Sequence, residues 1–221
     1  MTSGWTPTGT VYGTLMNYAC EHRALAAQMH APPYKAPPQA PVLYIKTANT
    51  FSPHDSPIVL PAWVHSVQIR PCVGLIFKQN MAKTHINNAQ AAINNIADFA
   101  LFNDLTIPHD SFYRPPIKSK CADGFLGIGA APQALAALGI VDALDITVRI
   151  NGTVVRTFNT ADMVRKSAAL VHDVAQFIDL QAGDVLLCGS AFDSALAKAG
   201  DTLEISAAGC AALRHVLVAA A

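Results

Sequence analysis

Charge is scarce in this 221-residue chain. Only 14% of its residues are Asp, Glu, Lys or Arg, fifteen of each sign, and the formal net charge is zero. Without a basic field the sequence carries no signature of nucleic-acid binding, and without a Lys/Arg cluster it carries none of an anionic membrane surface. No uninterrupted apolar stretch approaches the roughly 20 residues that cross a bilayer. The opening MTSGWTPTGTVYG has neither the basic flank nor the apolar run of a secretory signal. The five cysteines (20, 72, 121, 188, 210) are widely spaced and include no C-x-x-C pair. That fits free thiols in a reducing compartment better than a disulfide framework or a structural zinc site. These absences predict a cytoplasmic protein with no nucleic-acid or membrane partner.

What is present is apolar: 52% of residues are hydrophobic, ample for a sizeable core. The length suits a single domain over residues 1–221, with 1–41 supplying a strand, a helix and a Pro-rich link. The polar groups that do occur are concentrated between Phe102 and Gly129, FNDLTIPHDSFYRPPIKSKCADGFLGIG. Asp104, His109, Asp110, Tyr113, Arg114, Lys118, Lys120 and Asp123 all fall there. Prolines and glycines interrupt the stretch, so it reads as an irregular loop, and long ordered loops in compact domains tend to bind or catalyse. Asn103-Asp104 follows an apolar segment, which predicts a carboxylate emerging where the chain leaves the core. Lys118 and Lys120, two apart, share one side of an extended chain. A solvated surface loop is the plain alternative.

Along the chain, residues 10–18 alternate loosely as a first strand, and Ala19 to Met29 reads as a short helix. The five prolines of APPYKAPPQAP (31–41) require an extended link. VLYIK (42–46) is rich in strand formers, and a further strand runs from about Ser66 to Phe77. Residues 85–101 place Ile86, Ala89, Ile93, Ile96 and Ala97 near helical spacing, which predicts an amphipathic helix leading into the central loop. Asn151-Gly152 is a hairpin signal between IVDALDITVRI and VVRTF. Thr160 is positioned to cap a helix over 161–178. GDVLLCG, DTLEISA and HVLVAA close the chain as short strands. Strands outnumber helices without the alternation of a doubly wound sheet, so the fold class is mixed α/β, dominated by β.

Several segments resemble the fumarylacetoacetate hydrolase family: VYGTLMNY, YIKTANT (44–50), FNDLT (102–106), KCADGFLGIG (120–129), RINGTVVRTFNTADM (149–163), QAGDVLLCG (181–189) and AGDTLEISAAGCAAL. They follow the family's order over nearly the whole chain. YKAPP (34–38) and SFYRPPIKSKCADGF (111–125) are similar to the N-terminal repeat of the family branch that isomerises and decarboxylates intermediates of 4-hydroxyphenylacetate (homoprotocatechuate) breakdown. The resemblance implies a β-roll or pseudo-barrel with short flanking helices, usually dimeric. It also implies a small dicarboxylate or tricarboxylate substrate and a paralogous C-terminal-type subunit, a homodimer, or both, as partner.

The family holds Mg or Mn with a Glu-x-Glu pair and the Asp of an Asn-Asp motif. A hard cation takes carboxylate oxygens and keeps open positions for a 2-oxo-carboxylate, whose enolate it then stabilises. Here the Asp is Asp104, but Arg70 and Cys72 stand where the glutamates are expected. The metal site is therefore expected to be lost, with no cofactor in this chain and the metal in a partner. The family's His-x-x-Glu pair matches only His22, and only with one inserted residue; the Glu position then reads Leu25, and Glu21 is expected to point elsewhere on the helix. Lys120 is the candidate catalytic residue, for an enolate or carboxylate, with His22 as candidate base. An ion pair between Lys120 and Asp104 or Asp123 is the structural alternative. Lys46, Tyr113, Arg114, Asp123 and Ser190, the last in a Cys188-Gly189-Ser190-Ala191 turn, are candidate substrate-binding residues. Three functions compete: a subunit whose metal chemistry sits in a partner; a self-sufficient isomerase or related hydrolase with an altered, metal-free or differently metallated site; and a non-catalytic scaffold or binding protein.

Overall fold

Apolar, β-branched runs separated by Gly, Pro and Asp turns organise the described residues into fifteen short strands. The computed structural model describes residues 4–32, 35–80, 95–109, 117–135, 138–191 and 195–220. In chain order the strands are β1 (Val11–Leu15), β2 (Val42–Lys46), β3 (Phe51–Ser52), β4 (Pro57–Leu60), β5 (Val67–Gln68), β6 (Pro71–Phe77), β7 (Ile96–Asp104), β8 (Leu126–Ile128) and β9 (Gln133–Ala134). They continue as β10 (Asp145–Ile150), β11 (Thr153–Asn159), β12 (Val185–Leu187), β13 (Leu196–Ala197), β14 (Thr202–Ala207) and β15 (Leu213–Ala219). The helices are α1 (Ala19–His30), α2 (Ile117–Lys120), α3 (Leu138–Val141) and α4 (Ser167–Ala175).

The larger sheet runs β2-β1-β12-β6-β7-β8-β3, with β9 also paired to β7; a second runs β11-β10-β14-β15-β4, and β13 pairs with β5. One face of the larger sheet packs Val73, Leu75, Phe99 and Leu101 into a main core with Ile58, Ile205, Leu213 and Leu217 of the second sheet. On its other face Val11, Cys72, Ala100, Phe102, Leu126 and Val185 form a smaller cluster, against which Trp5 and Phe51 pack. Buried on both faces, β6 has no alternation, and its sequence PCVGLIF is a continuous apolar run.

Register fixes what the smaller cluster's face carries. Phe102 pairs with Cys72, Gly13 with Tyr44 and Val11 with Lys46. Side chains on a strand alternate, so Asp104 shares the face of Phe102, and Tyr44 and Lys46 share one face of β2. A Cβ on Gly13 would overlap the Tyr44 ring, so only glycine lets Tyr44 lie across β1. The Asn151-Gly152 hairpin forms as expected, both residues at positive φ (51° and 78°), joining β10 to β11.

Four expectations are corrected. Residues 96–101 belong to β7, not to a helix; the earlier part of that predicted helix, 85–94, lies outside the described residues. The predicted strand over 66–77 is broken at Ile69-Arg70, which lie between β5 and β6. The central stretch is not wholly irregular. Asp104 ends β7 buried rather than emerging from the core, and α2 and β8 follow. Because residues 117–120 are helical, Lys118 and Lys120 diverge: Lys118 reaches the Trp63 ring while Lys120 turns inward. Finally, Thr160 caps no helix. Its hydroxyl accepts from Leu144 N (2.7 Å), Asn159 caps the short turn Thr160–Asp162, and α4 begins only at Ser167.

Candidate functional site

Asn103 and Asp104, at the end of β7, organise a buried polar cluster. The Asn103 side-chain oxygen accepts from the backbone N–H of Arg70 (3.0 Å), and Asp104 N–H donates to the Arg70 carbonyl (2.9 Å). The chain is thereby pinned just where it leaves β5 for β6. One oxygen of Asp104, Oδ2, accepts from both the Tyr44 hydroxyl and Lys120 Nζ. Lys46 Nζ lies 3.0 Å from Oδ1, an ion contact without hydrogen-bond alignment. Lys46 also donates to the carbonyls of Lys120 and Phe125 (3.0 Å to the latter). Lys120 Nζ donates to Thr106 Oγ1 (2.9 Å) and stands 4.8 Å from the Tyr44 ring centroid.

Beside this lies a second ion pair. Arg70 Nη2 is 2.7 Å from Glu21 Oε1, on the first turn of α1, and 3.5 Å from the Ser190 carbonyl. Both partners are largely buried.

The electrostatics follow from burial and proximity. Burial alone would raise the Asp104 pKa, but the ammoniums of Lys120 and Lys46, with hydrogen bonds from Lys120 and Tyr44, hold it well below the usual carboxylate range. Burial pulls Lys120 down to about 8, against the opposing pull of Asp104. Burial and the Asp104 charge push Tyr44 far above its ordinary value and raise the Cys72 thiol, so both stay neutral. Burial works against the Arg70 charge, but Glu21 outweighs it.

Of the residues singled out in the sequence, the fold gathers Asp104, Lys120, Lys46, Arg70, Cys72 and Ser190. Ser190 Oγ is buried and has no hydrogen-bond partner among the described residues. His22 is half-buried, and its Nε2 lies 2.8 Å from the carbonyl of Met16, a residue held at φ 55°. It braces the turn between β1 and α1. Asp123 is exposed and accepts from Asn49 Nδ2 (2.6 Å), pinning the Asn49 turn rather than joining the lysines. Tyr113 and Arg114 lie outside the described residues. Two members of the cluster escaped the sequence reading. Tyr44 sits two before Lys46 and shares its face by alternation. Glu21 turns inward, contrary to expectation, because Glu21, Leu25 and Met29 form one buried stripe at i, i+4, i+8.

Comparison with known proteins places this arrangement in context. Residues 10–218 match the family model "Fumarylacetoacetate (FAA) hydrolase C-terminal". The chain belongs to this family. Over 211 residues it is 36% identical to the 4-hydroxyphenylacetate degradation bifunctional isomerase/decarboxylase of Salmonella dublin, which covers 96% of this chain but only 47% of that protein. The chain thus spans about half the length of the bifunctional relatives it matches. It is also 24% identical over 213 residues to an oxaloacetate tautomerase of Escherichia coli (strain K12), covering 93% of this chain and 96% of that one. Among solved folds, fumarylpyruvate hydrolase from Pseudomonas aeruginosa in complex with Mn2+ and pyruvate superposes with a TM-score of 0.81 at 18% identity, over 97% of this chain and 91% of that one.

The residues present do not fit the divalent ion that the family resemblance implies. Both Asp104 oxygens already face ammonium groups. Glu21 is paired to Arg70, and the Cys72 thiol is held neutral. Among the described residues no group of three or more His, Cys, Asp or Glu side chains could hold a metal. A hard dication needs several free oxygen donors, and here Lys120 and Arg70 supply positive charge from the protein itself.

Proposed function

We propose that this chain is a subunit of the 2-hydroxyhepta-2,4-diene-1,7-dioate isomerase / 5-carboxymethyl-2-oxohex-3-ene-1,7-dioate decarboxylase of 4-hydroxyphenylacetate catabolism, with the metal-dependent chemistry in a paralogous partner. The partner carries the Glu pair and Mg or Mn; this chain contributes a contact surface and pocket walls, in a cytoplasmic assembly. The observation that carries the reading is the charge pattern around Asp104: two ammoniums on the carboxylate and an arginine where a metal-ligating glutamate is expected. The resemblance to half of a bifunctional enzyme supplies the pathway. Co-expression with a paralogous subunit tests it. Co-purification with chelator-sensitive decarboxylase activity is expected from the pair and none from this chain alone. Robust, chelator-sensitive decarboxylation by this polypeptide alone overturns it.

A second reading, a self-sufficient metal-free isomerase, is favoured by one feature. Lys120 and Tyr44, two groups that can carry a proton, converge on one Asp104 oxygen, and keto–enol isomerisation needs only a proton carrier and an oxyanion stabiliser. Unchanged isomerase turnover in Lys120→Ala removes this reading.

A further inference from the structure

Asn151-Gly152 is the one Asn-Gly pair in the sequence, and it brings a chemistry of its own to the hairpin it turns. The side-chain carbonyl carbon of an asparagine is open to attack by the backbone nitrogen of the next residue. Glycine, lacking a Cβ, hinders that attack least. The Gly152 nitrogen loses its proton and bonds to Asn151 Cγ; the Cγ–Nδ2 bond breaks, ammonia leaves, and a cyclic imide remains. Solvent water opens the imide at one carbonyl to give aspartate, or at the other to give isoaspartate. Both residues are exposed and lie between the last paired positions of the hairpin, Ile150 and Thr153. A Cβ placed on Gly152 would meet nothing within 4 Å, so the nucleophile is uncrowded.

A clasp from the turn between β13 and β14 restrains the reaction. Asn151 Nδ2 donates to Asp201 Oδ1 (2.8 Å), and Asn151 Oδ1 accepts from Thr202 N (2.9 Å). The Asn151 N–H donates to the Thr202 carbonyl (2.9 Å). Ring closure requires the side chain and the following peptide to rotate together, and these three bonds oppose that rotation. Asp201 is itself fixed: its Oδ2 accepts from Lys198 N (2.8 Å), and its carbonyl accepts from Leu217 N (2.9 Å). The Lys198 N–H above all, then the Asn151 amide and the Lys198 charge, hold its carboxyl below the usual carboxylate range against slight desolvation. Hydrolysis would therefore set a second carboxylate against an ionised one, across the gap that an amide N–H now bridges. Isoaspartate would also lengthen the backbone inside a two-residue turn, whose geometry sets the register of the hairpin.

We propose that Asn151-Gly152 is a site of spontaneous deamidation governed by Asp201. The clasp slows ring closure, and the product, a carboxylate or isoaspartate at 151, cannot re-form it. Modification thus loosens the junction of β10, β11 and β14, and the change is irreversible because the ammonia is lost.

The site is remote in kind from the Asp104 cluster and is read by mass, so failure of this proposal leaves the partner reading standing. The purified chain is held in warm, mildly alkaline buffer. Peptide mapping follows the amide-to-acid mass gain at Asn151, and isoaspartyl methyltransferase labelling follows the isoaspartate. Asp201→Ala is expected to convert about tenfold faster than the parent, since the amide must leave a charged acceptor before it can react. Asp201→Asn, whose side-chain oxygen still accepts, should stay within about twofold of the parent. Gly152→Ala, which puts a Cβ beside the nucleophile, should suppress conversion. Asn151→Asp, the hydrolysed state, should melt about 2–4 °C lower. Asn151→Asp combined with Asp201→Asn sets a donor against an acceptor again and should recover most of that loss. Conversion in Asp201→Ala no faster than in the parent overturns the proposal. So does an Asn151→Asp variant that melts with the parent, a result that decides the matter even if Asp201→Ala fails to fold.

Discussion

Lys46 donates from its ammonium to the backbone carbonyl of Lys120, so one buried lysine holds the segment that delivers the other. The same ammonium reaches the Phe125 carbonyl and lies 3.0 Å from Asp104 Oδ1. It therefore ties β2 to the end of β7 and to the segment between α2 and β8. This arrangement explains how a stretch with little regular structure keeps Lys120 fixed against a carboxylate.

Removing that tie should be expensive. Lys46→Met leaves two carbonyls without this donor and leaves Asp104 with a single ammonium, and breaking a buried pair typically costs about 3–5 kcal/mol. Urea denaturation should show a loss of at least about 3 kcal/mol. Lys118→Met, at an exposed side chain stacked 4.9 Å from the Trp63 centroid, should shift stability by less than about 1 kcal/mol. Equal effects of the two would show that the Lys46 contacts carry no special weight.

Acid should expose the Asp104 cluster. Its carboxyl titrates far below the unfolded value near 3.8 because the two ammoniums outweigh burial. Between the unfolded and folded pKa the unfolded chain binds a proton that the native state does not, so stability is present above about pH 4 and lost as pH falls through the folded pKa. The contribution to the slope approaches about 1.4 kcal/mol per pH unit. Asp104→Asn should be less stable at neutral pH and should lack this part of the acid slope. An unchanged slope in that variant would place the acid sensitivity elsewhere.

A separate pH window belongs to His215. Its Nδ1 is 3.0 Å from the Ser56 carbonyl, its Nε2 is buried, and its ring crowds Gly127 across the two sheets. Burial pushes its pKa below 6.5, so it is neutral in the fold. The unfolded chain protonates first as pH falls, and stability should start to drop near pH 6.5, well before the Asp104 window opens. His215→Gln, which keeps polar atoms but cannot titrate, should remove the step between pH 7 and 5 while leaving the lower one. Melting temperatures at half-unit intervals resolve the two.

How much of this was legible in the sequence depends on what carried each feature. Asp104 and Lys120 could be read because motif matching needs no geometry, and the Asn151-Gly152 hairpin because its turn chemistry is local. The β7 strand was misread because ADFALFND is buried on nearly every side. A strand without alternation offers no period, and the helical spacing preceding it supplied a false one. Glu21 was missed through phase: it follows Cys20 in an Ala-rich helix, and only Leu25 and Met29 reveal which stripe faces in. The Lys46–Asp104 contact could not be read at all, since it joins positions 58 residues apart through strand register.

The strongest test of the charge argument is to reverse it. Arg70→Glu with Cys72→Glu would restore the carboxylate pattern that the family resemblance expects, beside Asp104 and a Glu21 now without its guanidinium. Position 72 pairs with Phe102 on the same face as Asp104, so alternation aims the second glutamate at the cluster. Several carboxylates then face Lys120, and a hard dication becomes the better counter-ion. The double variant should bind Mn2+ at least about tenfold more tightly than the parent. The assay is loss of the free-ion paramagnetic resonance signal, accompanied by a Mn2+-dependent rise in melting temperature that EDTA reverses. The variant should be less stable than the parent without metal, because like charges are buried together. If the unaltered chain takes up Mn2+ as tightly as the double variant, Lys120 and Arg70 do not replace the metal, and the division of labour with a partner subunit loses its physical basis.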